Sequence, residues 1–142
     1  MLKDTFTFQG PLGEIECLVE PNRSDNNAVL VMAHGFRGSR DSGGRAAGVA
    51  HQAAAHAVVV RFNFTGTQII SRQVEELRAV LAEVCRRQPG CKLFLLGRSL
   101  GGAASIITAA QDGALAGLIL WATPNNLRFT FRYVMTEDEY RR

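Results

Sequence analysis

The chain has 142 residues, so a single hydrophobic core can account for its folding. With 46% hydrophobic and 20% charged residues it has the composition of an ordinary soluble globular protein, which excludes disordered and fibrous classes. The formal net charge of +3 arises from arginines dispersed along the chain, so we expect no nucleic-acid partner.

The N-terminal part of the sequence predicts a hairpin, a strand and a helix. Residues 5–20, TFTFQGPLGEIECLVE, alternate apolar and polar residues around a Gly-Pro-Leu-Gly turn, which is typical of two antiparallel strands. Residues 28–34, AVLVMAH, form a continuous apolar run and predict a buried parallel strand. After a glycine-rich loop, an alanine-rich segment from Arg45 to about Ala55 predicts a helix.

The rest of the chain continues the alternation of strands and helices. AVVVRFNF, KLFLL and LAGLILWAT each predict a strand buried on both faces. From Ser71 onward, apolar residues at three- and four-residue spacing predict an amphipathic helix that carries Glu76 on its polar face. A further helix is expected over residues 100–110. The order predicts one α/β domain over residues 1–142, a mostly parallel sheet with helices on both faces.

A serine between glycines follows the predicted strand KLFLL. In GRSLGG, Gly97 and Gly101 flank Ser99 at the GxSxG spacing of a nucleophile elbow, a sharp strand-to-helix turn that exposes the serine hydroxyl. Side chains two residues from the serine would collide with it, and Gly102 allows close packing of helix against strand. The alternative is a plain turn with an ordinary polar residue. The position between an apolar strand and a helix favours the elbow.

A second glycine-rich segment, HGFRGS, follows the strand AVLVMAH. An acyl-transfer site needs two backbone N–H groups directed at the oxyanion, and those of Phe36 and Leu100 are the candidates. Gly35 would let the chain turn there without steric cost. We interpret His34 as a residue that braces this loop, and direct acid-base work is the alternative.

These motifs, together with VVVRFNFTG, SRQVEELRAV and LILWATP, resemble the first two thirds of an α/β-hydrolase. The sequence is most similar to small bacterial serine hydrolases of the serine aminopeptidase and cinnamoyl-esterase-like kind. The resemblance implies that Ser99 attacks the carbonyl carbon of an ester, thioester or amide. It also implies a small-molecule acyl substrate and an oxyanion hole formed by the N–H groups of Phe36 and Leu100.

The sequence departs from this family in its histidines. In α/β-hydrolases the acid and the histidine follow the nucleophile, whereas His34, His51 and His56 all precede Ser99. We expect His51 and His56 to be partly exposed residues in or at the end of the alanine-rich helix. The final TEDEYRR predicts the start of a helix where the family has a cap insertion. We therefore expect that the C-terminal third of the fold is missing and that turnover is weak or absent.

No cofactor and no metal ion is expected. Three cysteines occur without a CxxC spacing, and no Gly-Lys-Ser/Thr sequence marks a phosphate-binding loop. The odd cysteine count without a signal peptide favours a reduced, cytoplasmic location. No apolar run approaches the roughly 20 residues that span a bilayer, so we expect no membrane partner.

Two arginines, Arg37 and Arg98, flank the expected pocket. They are candidate contacts to an acidic substrate, and the alternative is that they form local hydrogen bonds or face solvent.

Two other hypotheses compete with catalysis by this chain alone. The first is a non-catalytic fragment or interaction module that keeps the first half of the fold. It predicts an open sheet edge after LILWAT, and hence a homo-oligomer that covers this edge. The second is that another polypeptide supplies the histidine and the acid.

Overall fold

The fold is built on a six-stranded sheet with the strand order β1-β2-β4-β3-β5-β6. The structure, a computed structural model, describes residues 2–141. The strands are β1 (Phe6–Gly10), β2 (Gly13–Glu20), β3 (Ala28–Ala33), β4 (Val58–Phe62), β5 (Lys92–Arg98) and β6 (Gly117–Trp121). The helices are α1 (Arg45–Ala53), α2 (Ile70–Arg87), α3 (Leu100–Gln111), α4 (Leu127–Val134) and α5 (Glu137–Arg141).

The sheet is mixed, as predicted. β1 and β2 form an antiparallel hairpin in which Phe6 lies opposite Cys17, and β2 also pairs antiparallel with β4. The four strands β4, β3, β5 and β6 run parallel, and a helix lies in each connection between them. The carboxyl ends of these four strands therefore meet at one edge of the sheet, where parallel α/β sheets bind ligands.

Helices cover both faces of the sheet. On one face α2 and α3 pack against a core that includes Val31, Val60 and Leu95. On the other face the alanines of α1 pack against a second cluster that includes Leu30 and Val59. The predicted α/β architecture with helices on both faces is confirmed. None of the helices among the described residues is long and apolar enough to cross a membrane.

The expectation that LAGLILWAT is a buried strand is wrong. β6 pairs with β5 and with no other strand in the described part of the chain, so it lies at the edge of the sheet. Ile119 and Leu120 are 48% and 46% exposed. The apolar run is that of an interior strand, and only the strand order shows that one side of it is uncovered.

Three features of the helices differ from the prediction or extend it. Glu76, expected on the solvent face of α2, is wholly buried. The helix α4 was not predicted, although Asn126 caps it by accepting a hydrogen bond from the N–H of Phe129 at 3.0 Å. The helix expected from TEDEYRR is present as α5, while the side chain of residue 139 in its capping box lies outside the described residues.

Candidate active site

Ser99 lies in the turn between β5 and α3. Its backbone angles are φ 52° and ψ −121°, which are rare for a residue with a side chain and cost about 1–3 kcal/mol. The Ser99 N–H donates to the carbonyl of Trp121 at 3.0 Å, which ties the turn to the end of β6. A strained turn of this kind between a strand and a helix is the geometry of a nucleophile elbow.

The glycines around Ser99 permit backbones to approach closely. A Cβ on Gly97 would lie 2.5 Å from the Cα of Gly102, and one on Gly101 would lie 2.5 Å from the carbonyl oxygen of Ala33. A Cβ on Gly102 would collide with the side chain of Thr123. α3 therefore packs against β3, β5 and the end of β6 at distances that only glycine allows.

Gly35 lies against the serine itself. A Cβ there would be 2.8 Å from the Cβ of Ser99. The expected reason for this glycine, freedom to turn, is wrong: Gly35 is not among the residues with positive φ, and the left-handed position of the loop is Arg37 at φ 52°. Gly35 is needed because the HGF loop passes directly beside Ser99.

The two candidate oxyanion donors are the N–H groups of Phe36 and Leu100. Neither donates a hydrogen bond to a described residue. Leu100 is the first residue of α3, so its N–H has no acceptor within the helix. The N–H of Phe36 likewise forms no hydrogen bond to the described part of the protein. Phe36, Leu100 and Ser99 all line one cavity of about 230 Å³. Both N–H groups therefore belong to residues that share a cavity with the serine, and neither bonds to a described residue.

His34 braces the HGF loop through both ring nitrogens. Its Nε2 accepts a hydrogen bond from the N–H of Phe64 at 3.1 Å, so Nδ1 carries the proton and donates to the carbonyl of Gly35 at 2.9 Å. The ring also packs edge-on against the Phe64 ring. Burial lowers the pKa of His34, although the Gly35 carbonyl and the charge of Glu76 act in the opposite direction. A neutral imidazole with both nitrogens bonded to backbone agrees with the bracing interpretation.

This histidine makes stability depend on pH. Because the folded-state pKa of His34 lies below the ordinary value of about 6.5, the unfolded chain binds the proton more tightly. We therefore expect stability to be full above pH 7 and to fall as pH drops below about 6.5. Urea unfolding midpoints at pH 7.5 and 5.5 should differ more in the natural protein than in His34→Gln. Equal differences in the two proteins would contradict this assignment.

Two buried polar residues of α2 hold the short loop between β4 and α2. The Glu76 carboxylate accepts from the N–H of Thr65 at 2.9 Å, and the Gln73 amide donates to the carbonyl of Thr67 at 2.9 Å. This loop follows Phe64, whose N–H is bonded to His34. The helical periodicity of the sequence does not predict that either side chain is buried, because both bond to the backbone of a loop rather than to a neighbouring helix or strand.

Ser99 lies between two cavities of different character. The larger, about 430 Å³, is lined mainly by glycines, serines and arginines, whereas the 230 Å³ cavity is lined mainly by apolar groups including Pro124 and Phe131 of the C-terminal segment. The ring of Phe131 lies 5.2 Å from that of Phe36. Three of the four described non-glycine residues with positive φ line the larger cavity: Arg37, Ser42 and Ser99. Strained backbone of this kind gathers at functional sites.

The two arginines expected at the pocket both line the larger cavity. Arg98 donates to the hydroxyl of Ser42 at 2.8 Å and stacks over the ring of Trp121 at 4.7 Å. Arg37 lies over the ring of Phe36 at 4.9 Å. A third arginine, Arg45 at the start of α1, lines the same cavity and was missed, because a charged residue at a helix start has no distinctive sequence signal.

The remaining histidines lie away from Ser99. His51 is on α1, where Nδ1 lies 3.2 Å from the carboxylate of Glu20, and its side chain is 71% exposed. His56 lines a cavity of about 530 Å³ at the amino ends of β3 and β5, beside Ala28 and Lys92. Neither lines a cavity that contains Ser99. Among the described residues no cluster of histidine, cysteine or carboxylate side chains is placed to hold a metal ion.

Comparison with known proteins was made by sequence and by structure. No protein-family model matches the sequence, and no curated protein sequence matches it either. Solved structures do match. An α/β serine hydrolase homologue from Coxiella burnetii is 25% identical with a TM-score of 0.77, over 87% of this chain and 64% of that one. An α/β serine hydrolase without a lid from Xanthomonas campestris is 24% identical with a TM-score of 0.77, over 87% and 62%.

An esterase from Pyrococcus furiosus superposes with a TM-score of 0.81 at 14% identity, over 94% of this chain and 56% of that one. The chain has the α/β-hydrolase fold. These likenesses support a relationship to the α/β-hydrolase superfamily, as the sequence motifs indicated. The chain spans less than two thirds of each of these hydrolases. The finer resemblance to serine aminopeptidases and cinnamoyl esterases stays a prediction.

Proposed function

We propose that this chain carries the nucleophile and the oxyanion hole of a serine hydrolase that acts on a carboxylic ester, thioester or amide. The observation that carries the proposal is Ser99, held at φ 52° between β5 and α3, in one cavity with Phe36 and Leu100, whose N–H groups bond to no described residue. The α/β serine hydrolases among the structural neighbours support the same reaction class.

The chemistry is acyl transfer. The Ser99 oxygen bonds to the carbonyl carbon, and the carbonyl oxygen becomes an oxyanion that accepts hydrogen bonds from the two N–H groups. The bond to the alcohol, thiol or amine then breaks, and that leaving group takes up a proton. Water releases the acyl group as the acid and restores the serine hydroxyl.

The step that lacks support from the described residues is proton removal. His34 has both ring nitrogens bonded to backbone, and His51 and His56 lie elsewhere. Without a positioned base, serine hydrolases retain only about 10³–10⁴-fold acceleration over water. We therefore expect slow chemistry from this chain, with water or buffer as the proton acceptor.

Labelling with a fluorophosphonate tests the proposal. The reagent forms an Oγ–P bond on an activated serine and releases fluoride. We expect slow labelling that disappears in Ser99→Ala and persists in Ser71→Ala, an exposed serine on α2. Absence of labelling, or equal labelling of Ser99→Ala, would overturn the proposal.

A second candidate function is self-association through β6. This edge strand has exposed Ile119 and Leu120, and no charged residue occurs from residue 113 to residue 127. Edge strands that stay monomeric are usually guarded by a charge or a bulge. Two copies can pair their β6 strands antiparallel about a two-fold axis without bringing like charges together.

Sedimentation tests this second candidate. The natural chain should sediment as a dimer, and Leu120→Lys should sediment as a monomer with an unchanged circular dichroism spectrum. Since Leu120 lines neither cavity at Ser99, fluorophosphonate labelling should be unaffected. A monomeric natural chain would contradict the interaction hypothesis.

A further inference from the structure

We propose that the ligand of the 430 Å³ cavity carries an oxyanionic group, a carboxylate or a phosphate, that binds to Arg45 and Arg98 while its acyl carbonyl lies at Ser99. The inference rests on the proposed function, because it takes Ser99 as the residue that reacts. It adds the chemical class of the substrate, an acyl compound with a second, anionic end.

The described lining of the cavity contains two arginines that the proposal uses, Arg45 and Arg98, and no acidic residue. Neighbouring arginines outside the cavity are neutralised: Arg40 pairs with a glutamate at 2.7 Å, and Arg61 pairs with an aspartate at 2.6 Å. These two carboxylates therefore pair with arginines outside the cavity.

Neither Arg45 nor Arg98 forms an ion pair with any described residue. Positive charge without a carboxylate in the described lining attracts anions, and arginine matches the two oxygens of a carboxylate or phosphate.

Arg98 is held in place for this task. Its guanidinium is fixed by the 2.8 Å hydrogen bond to Ser42 and by stacking on Trp121. Both contacts are to uncharged groups, so the guanidinium keeps its full charge for a ligand. Arg98 and Ser99 line the same cavity, so an anion bound to Arg98 shares that cavity with the reacting serine.

The second cavity that Ser99 lines would hold the rest of the substrate. The 230 Å³ cavity is lined by apolar groups such as Leu100, Pro124 and Phe131. An ester whose one side is anionic and whose other side is apolar therefore fits both cavities at once, with its carbonyl at Ser99.

Trp121 provides a direct test, because it is the one tryptophan in the chain and stacks on Arg98. The natural protein is titrated with glutarate, with inorganic phosphate and with neutral glutaramide while tryptophan fluorescence and heat of binding are recorded. We expect saturable binding of glutarate or phosphate but not of glutaramide. The tighter of the two anions identifies the group as carboxylate or phosphate.

Variants then locate the site. Arg45→Gln leaves the stack of Arg98 on Trp121 intact and should weaken anion binding about tenfold. Arg98→Gln removes that stack, so its affinity is measured by calorimetry, and we expect a loss of about tenfold there too. Arg78→Gln, an exposed arginine of α2, should bind like the natural protein. Ser99→Ala should also retain binding, so failure of acyl transfer and failure of anion binding are separate results. Binding of neither anion, an affinity for glutaramide equal to that for the tighter anion, or an unchanged affinity for that anion in Arg45→Gln would overturn the proposal.

Discussion

Replacement of Gly101 by alanine is expected to destabilise the fold by about 1–3 kcal/mol, the usual effect of an oversized group in a packed interior. The new methyl group would press on the carbonyl of Ala33 and on the HGF loop, and α3 would have to move away from the sheet. Because α3 begins at the residue after Ser99, the same movement should remove fluorophosphonate labelling.

Gly48 is the matched control. It also lies inside a helix, α1, but nothing lies within 4 Å of a Cβ built on it. Gly48→Ala is therefore expected to stabilise the protein by about 0.5–1 kcal/mol through lower backbone entropy of the unfolded chain. The urea midpoint should therefore fall in Gly101→Ala and rise in Gly48→Ala, relative to the natural protein. Equal shifts would show that α3 does not pack as described.

Addition of imidazole is expected to accelerate ester hydrolysis in a Ser99-dependent way. Without a positioned base, Ser99 attacks 4-nitrophenyl butyrate slowly, so Ser99→Ala should lose only the small part of the hydrolysis rate that passes through the serine. Imidazole in solution can accept the Ser99 proton. We expect the rate of hydrolysis through Ser99 to increase roughly tenfold, which is less than the ~10²–10⁴-fold that a positioned base contributes.

The control for this experiment is the reaction of imidazole itself with the ester, which Ser99→Ala reports directly. An increase of the same size in both proteins would mean that Ser99 does not act as a nucleophile. An increase confined to the natural chain and to Ser71→Ala would support the elbow assignment.

The sequence predicted those parts of the fold that depend on local pattern. The strands β3, β4 and β5 are short apolar runs, and the strand-to-helix turn at Ser99 needs only one strand, one serine and its glycines in a fixed order. The bracing interpretation of His34 also agrees with its two hydrogen bonds to backbone.

Parts that depend on long-range contacts were missed. Glu76 has the spacing of a solvent-facing residue, but the loop after β4 covers it, and its carboxylate accepts a hydrogen bond from the N–H of Thr65. β6 reads as an interior strand, although its position in the sheet leaves Ile119 half exposed. Arg45 joins the cavity only because α1 starts beside the Ser99 turn. None of these contacts leaves a mark in the local sequence.

Trapping of an acyl group on Ser99 tests the central claim most directly. The protein is incubated with 4-nitrophenyl butyrate, quenched in acid, and its intact mass and peptide fragments are measured. Cys85, an exposed thiol, is replaced by serine in every variant because it is a competing nucleophile. We expect one butyryl group, located on Ser99, that is absent from Ser99→Ala and present in Ser71→Ala. A butyryl group on any other residue, or none at all while the ester is hydrolysed, would contradict the assignment of Ser99 as the nucleophile.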